Sequence, residues 1–117
     1  MRLTLPKSRR LYQRRDFVEV RDEGRRIAQG CVVINWLPLK AGKPWKVGII
    51  TTKALGSAVV RNLARRRIRE AFRCNQDLLT HSAHIVLIAR SSIREATQER
   101  VVADLLRVLR RAGLAAS

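Results

Sequence analysis

The sequence predicts a single α+β domain with elements in the order α-β-β-α-β-α, and three features carry that prediction. Two stretches rich in β-branched residues, Ile27–Leu37 and Lys46–Thr52, have strand character. An amphipathic segment, Gly56–Arg73, has helical periodicity. A nearly unbroken apolar run, Ala83–Ala89, follows it. This interleaving sets a helix between two strands that can lie side by side in parallel. With 117 residues and 46% hydrophobic composition, the chain can bury one modest core. It carries no internal repeat and no interdomain linker.

The elements follow in order. Residues 1–15 are basic, contain Pro6 and lack periodicity, which predicts a loose, flexible arm ahead of a domain spanning 16–113. Asp16 is the expected N-cap of a first helix, Phe17 to about Glu23, which Gly24 ends. Ile27–Leu37 is expected as one strand. The prolines and glycine of the next stretch, 38–45, make a loop. Lys46–Thr52 is expected as a second strand antiparallel to the first, and either strand can be split to give a further ladder segment. Ser57 suits the N-cap of the arginine-rich helix, and Asn75 suits its end. Ala83–Ala89 has the character of a central strand covered on both faces. Thr97 to about Ala112 is the last helix, apolar at Val101, Val102, Leu105, Leu106 and Leu109 and stopped by Gly113. Residues 114–117 form a short tail.

The helix at Gly56–Arg73 carries the functional signal. It holds six arginines and one asparagine. Val60, Leu63, Ala64, Ile68, Ala71 and Phe72 gather on one side of a helical projection, and Arg61, Asn62, Arg65, Arg66, Arg69 and Arg73 on the other. Such a helix can pack on a sheet while showing guanidinium groups to a polyanion, whose phosphate oxygens they match in pairs. The net charge of +16, with 20 of 25 basic residues arginine, points the same way. So large an imbalance repels itself unless a polyanion screens it.

Other chemistry is poorly supplied. The nine acids form no cluster suited to holding two metal ions for phosphodiester cleavage, and Glu70 is placed to pair with a neighbouring arginine on the helix surface. Cys31 and Cys74 lack metal-ligand spacing, as do His81 and His84. No apolar run approaches the roughly 20 residues that span a bilayer. The chain is therefore expected in the cytoplasm, without a membrane partner, bound to RNA. A DNA-binding regulator is disfavoured because base readers mix Asn, Gln and Ser among their arginines. A ribosomal or RNA-chaperone protein fits the charge and remains the alternative.

The residues resemble the protein subunit of bacterial ribonuclease P. The resemblance rests on Lys53-Ala54-Leu55-Gly56-Ser57-Ala58-Val59-Val60-Arg61-Asn62, then Arg65-Arg66 and Ile68-Arg69-Glu70-Ala71-Phe72. It extends upstream to the segment ending in Gly24-Arg25-Arg26 and downstream to His84–Arg90, covering about Leu11 to Leu109. It implies an α/β sandwich, like the second domain of a small-subunit ribosomal protein, with a left-handed βαβ crossover around the arginine helix. It also implies a protein that acts as accessory subunit of an endoribonuclease. The partner RNA carries the active site and its Mg2+, and the protein binds that RNA, one to one, and the 5′ leader of precursor tRNA. Carried over by position, Lys53, Arg61, Asn62, Arg65, Arg66 and Arg69 contact the RNA subunit, with Arg67 and Arg73 adding to that surface. Phe17, Arg21 and Asn35 fall at leader-cleft positions, with core packing an equal reading of Phe17.

The chain departs from the family pattern at several positions. Leu63 stands where the second arginine of an R-N-R run is usual, and Arg67 where a core-facing leucine is common. A local exchange is expected, with Leu63 filling core space and Arg67 supplying the charge, so that swapping the two residues is nearly neutral. Arg21 and Asn35 replace aromatics, and Ala54 replaces a lysine. Leader recognition is therefore expected to rest on charge more than on stacking, with a steep salt dependence.

Overall fold

A computed structural model describes residues 4–116. They form α1 (Arg14–Glu23), β1 (Arg25–Gln29), β2 (Val32–Pro38), β3 (Lys46–Ile50), α2 (Ala58–Asn75), β4 (Ala83–Ala89) and α3 (Gln98–Arg111), joined in part by short 3-10 turns. The strands make one sheet in the order β1-β2-β4-β3. β4 pairs antiparallel with β2 and parallel with β3, so α2 does link parallel neighbours.

The first expected strand is split in two, as the sequence allowed, and the second runs antiparallel to it without pairing with it. The stretch Ile27–Leu37 is a hairpin, β1 and β2, turning at Gly30-Cys31. Gly30 has φ 55°, and a Cβ there would lie 2.1 Å from the Asp104 carboxylate, so only glycine fits the turn. Nor is β3 paired with β2. The apolar β4, buried on both faces, inserts between them.

The alternation of side chains gives the sheet two unlike faces. One row across all four strands, Ile27, Ile34, Leu87 and Ile49, faces the core that α2 and α3 cover. Ile68, Phe72, Val101, Leu105 and Leu109 fill it, each 0–1% exposed. Each such side chain contributes about 1.5–3 kcal/mol by leaving water. The opposite row of Asn35, Val86 and Gly48 lies under α1, where Val20 is fully buried. That second layer is thin and leaves Ile50 and Ile88 only partly covered.

The first helix starts at Arg14 with Gln13 as N-cap, so Asp16 lies in its first turn, where its charge favours the helix dipole. The loose arm expected over residues 1–15 is also not what the described part shows. Leu5 and Leu11 are each 6% exposed, Leu11 N–H donates to Val47 O (2.9 Å), and the Arg10 side chain donates to Leu5 O (2.7 and 3.0 Å). Residues 1–3 lie outside the described part. The two buried leucines, the backbone bond to Val47 and Arg9, whose guanidinium lies 4.5 Å over the Trp45 ring, dock this segment along β3.

Asp104 of α3 is buried and ties that helix to the hairpin. Its Oδ2 accepts from Cys31 N–H (3.0 Å), and Arg100 Nε sits 3.2 Å from Oδ1. Burial opposes the charge, but the Cys31 and Arg100 contacts outweigh it and hold the carboxyl below the usual range. The stability that this charge carries is complete above about pH 4, the unfolded value, and is lost as pH falls through the lower folded value. Asp104→Asn should therefore shrink the drop in urea midpoint between pH 6 and pH 3 relative to the parent chain. The Cys31 thiol, pushed up to about 11 first by burial and then by Asp104, stays protonated and inert.

Candidate nucleic-acid interface

α2 begins where Gly56, at φ 143°, lets the chain turn out of the 3-10 segment Lys53–Leu55. The Ser57 hydroxyl then accepts from Val60 N–H (3.4 Å), as its N-cap position predicts. Ala64, Ile68, Ala71 and Phe72 are buried against the sheet. The periodicity therefore fixes which side of the helix meets solvent, and its cations other than Arg67 lie there.

They are not equivalent. Among the described residues, the guanidinium groups of Arg61, Arg66 and Arg69 have no hydrogen-bonding or ionic partner, and Lys53 is exposed. Arg65 is held. It donates to Asn62 Oδ1 (2.8 Å) and to Thr51 Oγ1 (2.9 Å), which aims it past the end of β3. Arg73 pairs with Glu70 (3.0 Å from Nε to Oε2), and that contact holds the Glu70 carboxyl below its usual range. Glu70 thereby offsets part of the charge at the helix end, as the sequence suggested.

Three site expectations change. Leu63 is 54% exposed and fills no core space. Arg67 points instead to the packed side, where it donates to Ile93 O (2.8 Å), Ala96 O and Gln98 Oε1 (3.2 Å). It ties α2 to the segment before α3 and its donors are used, so the expected exchange of Leu63 and Arg67 does not occur. Asn35, expected at a leader-cleft position, is 5% exposed, and its Nδ2 donates to Val20 O (3.1 Å) and Arg25 O (2.7 Å). It joins the end of α1 to β1 and shows no polar group to a ligand. Arg21 is exposed and paired with Asp22 (2.9 Å) one turn beyond Phe17.

Phe17 packs on the sheet and also lines a groove. Its ring lies against Gly48, where an added Cβ would stand 2.5 Å from two ring carbons. Its other surface lines a groove at the outer edge of β3, shared with Arg10, Tyr12, Ile49, Arg65 and Arg69. The arginine flank of α2 and the aromatic of α1 thus meet in one groove. Tyr12, 61% exposed on this rim, carries little signal in sequence because it falls in the segment expected to be loose. Thr51, which orients Arg65, carries no signal in sequence at all.

Among the described residues, no three His, Cys, Asp or Glu side chains come together to hold a metal ion. No helix among these residues is long and apolar enough to cross a membrane.

A cationic helix flank joined to an aromatic groove on a small α+β domain defines a polyanion-binding module of the RNA-binding class. Residues 5–113 match the Ribonuclease P family. The chain is 37% identical over 109 residues to the Ribonuclease P protein component of Gluconacetobacter diazotrophicus, covering 92% of this chain and 94% of that one. It is 40% identical over 106 residues to that of a Picosynechococcus species, covering 90% of each. The RNase P protein of Staphylococcus aureus superposes with a TM-score of 0.83 at 28% identity, over 93% of this chain and 99% of that one. That of Thermotoga maritima gives 0.77 at 30% identity, over 87% and 96%. The chain belongs to the ribonuclease P protein family.

Proposed function

We propose that this chain is the protein subunit of ribonuclease P, an accessory subunit that binds the catalytic RNA and the precursor tRNA whose 5′ leader the holoenzyme removes. The observation that carries the reading is the row of unpartnered guanidinium groups on α2 running into the groove beside Phe17. Arg61, Asn62, Arg65, Arg66 and Arg69, with Lys53 and Arg73 at the two ends, bind the RNA subunit. Phe17, with Tyr12 and the partly covered Ile50 and Ile88, receives the leader. Arg67 and Asn35 act by holding the scaffold.

In this reading Mg2+ is bound by the RNA, the complex is one protein to one RNA, and it works in the cytoplasm. The protein's part is electrostatic: it neutralises phosphates that would otherwise repel as substrate docks on the RNA. It should therefore lower the magnesium requirement. The test is cleavage of a precursor tRNA by a bacterial ribonuclease P RNA at low millimolar Mg2+, with and without the protein. Cleavage that depends on the protein is expected. RNA binding without rescue would favour the ribosomal or chaperone alternative, and cleavage with no RNA subunit would overturn the assignment of chemistry to RNA.

A further inference from the structure

The solvent side of α2 is not uniformly polar. Val59 is 78% exposed and Leu63 54% exposed, and with Arg66 they occupy positions i, i+4 and i+7 of the helix, one above the next. Asn62 and Arg66 border the pair, and Arg66 has no partner among the described residues. The charge of +16 disfavours a second copy of this chain as the cover for this apolar pair. A regular A-form helix could not use it either, since such a helix offers chiefly phosphates and 2′-hydroxyls at its surface. The ligand that fits both features has an apolar face and a negative charge a few ångströms apart. An unpaired nucleotide turned out of its stack has both.

We infer that Val59 and Leu63 form a seat for one unstacked nucleotide of the RNA subunit, with its base or ribose on the two aliphatic side chains and its phosphate at Arg66. This rests on α2 being the face that binds that RNA. It assigns to Leu63 a recognition role in place of a phosphate contact, and so gives a use to the position where the family pattern has arginine.

The two kinds of contact separate by salt. A phosphate contact contributes roughly 0.7–0.9 to the slope of log affinity against log salt, and an apolar contact contributes nothing. Equilibrium binding of the full chain to bacterial ribonuclease P RNA should be measured from low to high KCl for the parent, Leu63→Ser, Leu63→Arg and Arg66→Ala. Leu63→Ser should weaken binding roughly tenfold at every salt concentration with the slope unchanged. Arg66→Ala should weaken binding and reduce the slope by about one unit. Leu63→Arg should not restore the parent affinity. Probing of 2′-hydroxyl reactivity should show an unpaired nucleotide protected by the parent and released by Leu63→Ser. Parent-like affinity for Leu63→Ser, or tighter binding with a steeper slope for Leu63→Arg, would overturn the seat. If Arg66→Ala also behaves as the parent, the fault lies with the choice of α2 as the RNA face. Unchanged thermal midpoints for these exposed substitutions exclude misfolding as the cause.

Discussion

Alanine at Arg61, Arg65 and Arg69 together will weaken binding to ribonuclease P RNA by roughly a hundredfold or more. The estimate takes about 1 kcal/mol or more for each lost charge-assisted contact. The salt slope should fall by about three units at the same time, since each arginine displaces about 0.9 of a condensed counterion. Among the described residues, the Arg61 and Arg69 side chains have no hydrogen-bonding or ionic partner and that of Arg65 hydrogen-bonds to Asn62 and Thr51, so the fold should lose little. Substitutions at such positions usually shift stability within about 0.5 kcal/mol each, and relief of like-charge repulsion acts in the opposite direction. Protein-dependent cleavage at low Mg2+ should fall with affinity and recover when the variant is supplied in excess. A variant whose affinity drops while its salt slope stays at the parent value would mean that these arginines do not reach phosphate.

Much of this surface was legible because helical periodicity is a local property. Ile68 and Phe72 have to go inward, which turns Arg61, Arg65 and Arg69 outward. The same reasoning placed β4, whose boundaries are those of its apolar run, and the cap at Ser57. What the sequence did not disclose depends on partners distant in the chain. The hairpin turn at Gly30-Cys31 was hidden because apolar residues continue beyond it, and its meaning lies in the Asp104 carboxylate, 73 residues from Cys31. Docking of Leu5 and Leu11 depended on the free edge of β3, and that edge exists only because β4 takes the place between β2 and β3. Asn35 reads as a surface polar residue until the carbonyls of Val20 and Arg25 are brought to it. An arginine that binds a phosphate and one that binds backbone carbonyls are likewise the same letter in the same kind of helix.

Arg67 is the sharpest instance, and the swap Leu63→Arg with Arg67→Leu separates the two readings. Were the residues interchangeable, the double variant would keep its stability. The structure predicts a loss of about 2–3 kcal/mol instead. Removing the Arg67 side chain takes the donor from Ala96 O and Gln98 Oε1, while Ile93 O keeps the Ala96 N–H, and leaving a buried acceptor unpaired costs about 1–3 kcal/mol. Ile93 is 1% exposed, so water reaches that region poorly. An arginine introduced at position 63 starts about 6 Å nearer the helix N-terminus, with its Cβ directed further that way, so it does not recover these contacts. For a domain of this size the expected fall in thermal midpoint is roughly 10 °C, and Arg67→Leu alone should account for nearly all of it. RNA affinity of the single variant, measured below its midpoint, should change far less than that of the triple alanine variant. An unaltered midpoint in the double variant would show that the carbonyls are satisfied without Arg67 and would return that residue to the RNA-binding face.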